Sequence, residues 1–283
     1  MLFLVGVFVV FGSVVTGYLM HHGQMGVLWQ PNEFVIIIGA AIGSFIISNP
    51  KDTIMDSLKG LKCLFKGKPY NKKHYLQALC LLFFIFKLMK TKGSLAIEAH
   101  IDNPHESELF KKYPLILHDH HVTDFICDCL RLLVMGVADH YQIEDMIDRD
   151  MEVHHHEGLT AAGAVTNMGD AMPALGIVAA VLGVITTMKS ISEPPEVLGG
   201  LIAAALVGTF TGVLLSYGII APIGSFMSKF TEAQGVFLRC IKSGLISHLQ
   251  GNSPTISVEY IRKTMPMHER PGFKEVEAEL NKE

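Results

Sequence analysis

Charge is distributed along this chain in blocks, and that pattern limits what it can fold into. Residues 1–50 contain no Lys or Arg, and residues 169–228 contain only Lys189. The other 22 of the 23 basic residues lie in 51–168 or after 228. A charge at the centre of a bilayer costs roughly 3 kcal/mol or more, so long blocks without basic residues suit hydrocarbon as a solvent. Charged residues make up 18% of the chain, against about a quarter in an ordinary soluble domain.

Four spans follow from the apolar runs: 2–20, 34–48, 173–188 and 198–226. The first has about the length needed to cross a core roughly 30 Å thick. It lacks the basic start and cleavage site of a signal peptide. Trp29, just before the second, suits an interfacial anchor. The connections 21–33 and 189–197 carry one basic residue between them, Lys189. Residues 49–172 carry fourteen and the stretch after 226 carries eight. The positive-inside rule therefore puts both termini and the long loop in the cytoplasm. The expected fold class is all-α: a polytopic membrane protein with four transmembrane helices and a helical cytoplasmic domain. Its segments are a first hairpin (1–48), a cytoplasmic helical domain (49–172), a second hairpin (173–226) and a C-terminal tail (227–283).

Within the long loop, Ile54, Met55, Leu58, Leu61 and Phe65 fall on one face of a helix, with Lys51, Lys59, Lys62 and Lys66 opposite. Such a helix is expected to lie on the inner leaflet. Further helical patterns run through about 72–92, 106–112, 119–136 and 141–156. Asn103-Pro104 and Tyr113-Pro114 punctuate them.

Small residues let membrane helices approach closely. Gly200, Ala204, Gly208, Gly212 and Ser216 recur every four residues along the fourth span. The second span has Gly39 and Gly43, and the third has Gly176/Ala180 and Ala179/Gly183. These are more small faces than one four-helix bundle uses, which points to an oligomer. Ion-driven membrane machines generally hold an ionisable group within the membrane. Here Glu33 and Asp170 stand at span edges, and no Asp, Glu, Lys or Arg lies in 173–188 or 198–226. Hydroxyls remain: Thr186, Thr187, Thr209, Thr211, Ser216 and Tyr217. They can line a wet path or take part in sodium coordination, or simply bond back to helix carbonyls.

Other chemistry has little footing. The net charge of -4 gives no reason to expect a nucleic-acid partner. Cys63, Cys80, Cys127, Cys129 and Cys240 all fall in the charged blocks, where reduced thiols are expected. Cys127-Asp-Cys129 lacks metal-site spacing. The clusters His118/His120/His121 and His154/His155/His156 read as solvated helix surface. There is no nucleophile–base pair, so no enzyme, no metal and no cofactor is expected.

Longer motifs carry a resemblance. Gly169-Asp-Ala-Met-Pro173 through Val184, followed by Val207-Gly-Thr-Phe-Thr-Gly212, is similar to the paired third and fourth spans of the MotA family of flagellar motor stator subunits. Ile101-Asp-Asn-Pro-His-Glu-Ser-Glu-Leu-Phe110 with Tyr113-Pro114 resembles that family's cytoplasmic loop. Val258-Glu-Tyr-Ile-Arg-Lys-Thr264 and Glu269-Arg-Pro-Gly-Phe273 resemble its tail. The resemblance implies a homopentamer around a MotB dimer, whose span brings the ion-binding Asp that this chain lacks. It also implies transport of H+ or Na+ and torque on the rotor protein FliG. Carried over by position, Lys90 stands where the family has an Arg, and Glu98 matches its Glu; both are expected at the rotor interface and on one helix. Lys keeps the charge but not the planar fork of Arg. Pro173 and Pro222 match the two prolines that couple ion flow to torque, with a kink expected at Pro222. Thr209 and Ala180 are assigned to the ion path, and Gly200, Ala204, Gly208 and Gly212 to helix packing.

Two other readings compete. Energisers of the ExbB/TolQ type are related ion-driven rings, but they have three spans. A secondary transporter would need midplane ligands and repeated halves, and neither is apparent.

Overall fold

The computed structural model describes residues 2–67, 69–136 and 139–282. The side chain of Lys66, which the sequence puts on a basic helix face, is outside the described set. Among the described residues there is helix, turn and coil but no strand. The longer helices are α1 (Leu2–Met20), α2 (Pro31–Ser48), α3 (Lys51–Gly60), α4 (Lys72–Lys92), α5 (His120–Val134), α6 (His140–Thr187), α7 (Pro195–Leu215), α8 (Ala221–Leu249), α9 (Pro254–Thr264) and α10 (Phe273–Leu280).

The chain forms two compact units. One comprises Met1–Gly67 and His156–Phe230, the other Lys68–His155 and Thr231–Glu283. This division cuts across the segments read from charge. Residues 49–67 and 156–172 pack with the apolar hairpins, and the stretch after 230 belongs to the second unit.

In the first unit, α1 buries no residue. α2 buries Glu33, Ile37 and Ala41, three positions four apart and therefore on one stripe. Ile37 and Ala41 pack with Met172 and Ala179 of α6. α3 is amphipathic as expected but ends at Gly60, and Cys63–Lys66 forms a separate turn. Its Ser57 hydroxyl donates toward the carbonyls of Thr53 and Ala161, at 2.7 and 3.1 Å. Met55, Leu58 and Phe65 point outward and are exposed.

Two prolines sit inside long helices. α6 passes through Pro173 unbroken. Before Pro222 the helix widens. Ser216–Ile220 forms a π turn, and the Ala221 N–H donates to the Ser216 carbonyl, five residues back. Proline has no N–H and its ring crowds the carbonyl four residues earlier; a wider turn relieves both faults while the helix continues.

The second unit has an interior of the soluble kind. α4 buries Tyr75, Ala78, Leu79, Cys80, Leu81, Leu82, Ile85 and Phe86, which spread around most of its circumference. That is why α4 is long and apolar enough to be counted with the candidate spans: a helix buried on several sides is apolar all round. Phe237 stacks on Tyr70 at 4.1 Å and meets Tyr75 edge-on at 4.9 Å. Tyr70 donates to Asp119 at 3.0 Å, and Asp119 caps the start of α5 through the Val122 N–H.

The C-terminal stretch is an integral layer of this unit. Arg262 of α9 holds Glu259 through two bonds of 2.7 and 2.6 Å and donates to the Pro271 carbonyl. Arg270 donates to the carbonyls of Lys263 and Met265, and Lys72 pairs with Glu275 at 2.6 Å. The two tail motifs are therefore tied to each other.

Candidate functional site

The backbones of α6 and α7 approach closely in the first unit. A Cβ built on Gly176 would stand 2.7 Å from the Gly208 carbonyl oxygen. One on Gly212 would stand 2.6 Å from the Met172 carbonyl, and one on Gly183 would stand 2.8 Å from the Ala205 methyl. Each is closer than real atoms allow, and two of the obstacles are backbone that cannot rotate away. The small stripe expected along the fourth span therefore divides. Gly208 and Gly212 are buried in this contact, and Ala204 is half-buried. Gly200 is exposed, and a Cβ on it would have nothing within 4 Å, as is true of Gly39 and Gly43 on α2.

Ala180 and Thr209 border the contact. The Ala180 nitrogen would be 3.1 Å from a Cβ on Gly208, and the Thr209 Cα 3.3 Å from one on Gly176. The hydroxyls of Thr186 and Thr187 both donate to the Gly183 carbonyl, at 2.7 and 2.9 Å, which keeps them occupied within their own helix. Ser216, in the π turn, is fully buried and its Oγ has no partner.

Glu33 stands in the first turn of α2 and turns inward. Its side chain is only 8% exposed, and its Oε2 would lie 2.5 Å from a Cβ on Gly208. The signal was in the sequence: Glu33 shares the four-residue stripe of Ile37 and Ala41.

In the second unit, Lys90 and Glu98 are both exposed and carry no ion pair among the described residues. They do not share a helix. Gly93 adopts φ +85°, a left-handed conformation that glycine enters without a Cβ penalty. It ends α4 at Lys92, and a 3-10 turn Ser94–Ile97 leads into a new helix beginning at Glu98. The loop motif is anchored nearby. Arg131 donates to the Ile101 carbonyl at 3.1 Å, His100 bonds to the Ser107 hydroxyl at 2.8 Å, and Phe110 is fully buried.

The histidine clusters meet partially. His121 and His154 lie edge to face at 4.8 Å, beside a cavity of about 20 Å³ that His155 and Gln234 also line. His154 faces Asp150 at 3.6 Å. Burial, and then the neighbouring His154, push the His121 imidazole below its ordinary range. No group of three or more metal-ligating side chains is found among the described residues. All five cysteines are buried, and burial raises the Cys127 thiol to about 12. Sequence reading missed Lys242, which is clamped by Asp148 at 2.7 Å and Glu144 at 2.9 Å and is 13% exposed.

Taken together, these features define a helical membrane protein: a glycine-packed apolar unit joined in one chain to a unit with a soluble-type core. Comparison with known proteins narrows the class. A family model described as Motility protein A N-terminal matches residues 4–93, and one described as the MotA/TolQ/ExbB proton channel family matches 118–236. Motility protein A of Escherichia coli is 43% identical over 277 residues, covering 98% of this chain and 94% of that protein. The chain belongs to the motility protein A family. In fold it is similar to a chain of C. jejuni MotAB (TM-score 0.79, 20% identity, 94% of this chain and 95% of that one). It is similar also to one of the flagellar MotAB stator complex of Bacillus subtilis (TM-score 0.77, 22% identity, 95% and 98%).

Proposed function

We infer that this chain is the ion-conducting stator subunit of a bacterial flagellar motor. The observation that carries this is its 43% identity, nearly end to end, to a motility protein A. In this reading it sits in the inner membrane with both termini and the 49–172 loop in the cytoplasm. Five copies surround a MotB dimer, and H+ or Na+ flow through the complex turns the ring against FliG. No cofactor takes part. The open small faces at Gly39, Gly43 and Gly200 are suited to neighbouring copies or the MotB spans, because glycine faces pack helices closely.

Ala180 and Thr209 border the ion path where α6 meets α7. Pro173 and the π turn before Pro222 give the two helices that run on into the second unit a built-in irregularity, and a π turn is a common place for a helix to rearrange. Lys90 and Glu98, exposed and unpaired on either side of the Gly93 break, offer opposite charges to FliG.

The test is motility in a strain lacking its own stator subunit, with the MotB-type partner co-expressed. Swimming should be restored and should stop with either a protonophore or sodium removal, whichever names the ion. Exposed charge pairs contribute about 0–1 kcal/mol each, so Lys90→Glu or Glu98→Lys alone should slow swimming. Reversing both should nearly stop it while leaving partner binding and ion flux intact. Failure of the unaltered chain to restore swimming, with the complex present in the membrane, would refute the reading.

A further inference from the structure

Glu33 occupies a place where an acidic side chain is hard to explain by packing alone. It is the third residue of α2, and the stripe it shares with Ile37 and Ala41, both fully buried, turns it inward. Its carboxyl enters the gap left by two glycines of different helices. A Cβ on Gly208 of α7 would stand 2.5 Å from Oε2, and one on Gly183 of α6 would stand 3.5 Å from Oε1. The atoms bordering those two glycines from the facing helices are the Ala179 methyl and Ala180 backbone on one side and Ala205 on the other. Oε2 is sealed from solvent and has no hydrogen-bond partner.

An ionised carboxylate with a sealed, unbonded oxygen in an apolar bundle lacks the compensation that buried charge requires. It must be neutralised by something it binds. A metal cation needs several oxygen ligands, whereas the side chains bordering the carboxyl's two glycines are alanines and no group of three or more His, Cys, Asp or Glu is found among the described residues. A proton needs one oxygen.

Building on the stator reading above, we propose that Glu33 is a proton-binding carboxyl of the ion path. A proton adds to Oε2 and later leaves from the same oxygen toward the acceptor carboxylate of the MotB span. Gly208 and Gly183 are positioning residues in this account: their missing side chains are the space the carboxyl fills. The chain then contributes a titrating group of its own, in addition to the one its partner brings.

The test uses the full complex with its MotB-type partner, reconstituted in vesicles under a pH gradient. Glu33→Gln keeps size and shape but cannot exchange a proton. It should cut proton flux on the order of 100-fold, the usual scale for losing a proton-transfer group, while partner recovery stays unchanged. Glu33→Asp should restore part of the flux. A structural role would leave Glu33→Gln conducting like the parent complex, and that result overturns the proposal. Infrared spectra supply a second measurement should the glutamine variant fail to assemble. The parent complex should show a carboxyl band that is sensitive to deuterium exchange and that Glu33→Asp shifts; its absence overturns the proposal. A parent complex that carries sodium and not protons refutes the proton assignment alone. One that carries no ion current refutes the stator reading and this proposal with it.

Discussion

The two units of this molecule solve opposite packing problems with the same element. In the first, the large apolar side chains are outside: Leu2, Phe8 and Ile47 are 87%, 77% and 88% exposed. Where α6 meets α7 the inside is glycine, alanine and backbone, with larger buried side chains such as Ile37, Met172 and Met227 set around it. In the second, Phe86, Phe110 and Phe237 are fully buried and charge is carried on the surface. Burying apolar area releases water and stabilises the second unit by about 25 cal/mol per Å². Lipid offers the first unit no such gain, because hydrocarbon is as apolar as leucine. Its helices instead gain from close backbone contact, which any added atom disrupts. Bulk holds one unit together and forces the other apart.

The largest effect should come from removing bulk where bulk matters. Phe86→Ala should destabilise the second unit by about 3–5 kcal/mol, read as faster hydrogen exchange of α4 and α9 amides in the full-length protein. Phe8→Ala in α1 should leave that exchange unchanged. Equal effects would erase the contrast between the units.

Adding bulk should do the reverse. Gly212→Ala collides with a backbone carbonyl and should cost about 1–3 kcal/mol, seen as loss of protein from the membrane. Gly200→Ala and Gly43→Ala meet nothing within the chain, so they should leave the level of inserted subunit unchanged. Gly200→Leu should also insert normally but weaken recovery of oligomer after crosslinking. Recovery of parent-level oligomer from Gly200→Leu would mean that this face touches only lipid.

The smallest effect separates the units by pH. His121 lies in the second unit and is held neutral by burial and by His154. Its folded form binds a proton less readily than its unfolded form. The stability it contributes is complete above the ordinary histidine value of 6.5 and is lost as pH falls from there toward the lowered folded value. Protection of α5 amides should therefore weaken on mild acidification, and His121→Gln should flatten the response. An unchanged pH profile in that variant would show that another group is responsible.

The legible part of this fold was whatever depends on hydropathy and charge in one dimension. Spans and loop helices follow from that, and so does the Gly208/Gly212 contact, because a four-residue repeat defines a helix face. What was not legible depends on three-dimensional context. Glu33 stands near a loop in sequence, and its inward turn emerges only when its stripe is followed along α2. Gly93 interrupts a helical pattern that would otherwise carry Lys90 and Glu98 together, since hydropathy does not register a positive φ. The C-terminal stretch reads as a polar tail because its arginines are charged, whereas Arg262 spends its charge inside the fold on Glu259 and a carbonyl. Pro222 announced an irregularity but not its form.

That form has a geometric consequence. Gly212 and Gly224 both press on α6: Gly212 against Met172 and Gly176, and Gly224 against Thr166 and Ala162. They are twelve residues apart, and at about 100° per residue an ordinary helix would leave them roughly 120° out of line. The turn at Ser216–Ile220 takes up one extra residue, which subtracts about 100° and leaves roughly 20°. It acts as a phase correction, letting one continuous helix keep the same side toward its neighbour through a proline. Deleting any one residue of 216–220 would leave Gly212 and Gly224 eleven residues apart, about 20° out of line in an ordinary helix, so the packed face would be kept and only the widened turn before Pro222 lost.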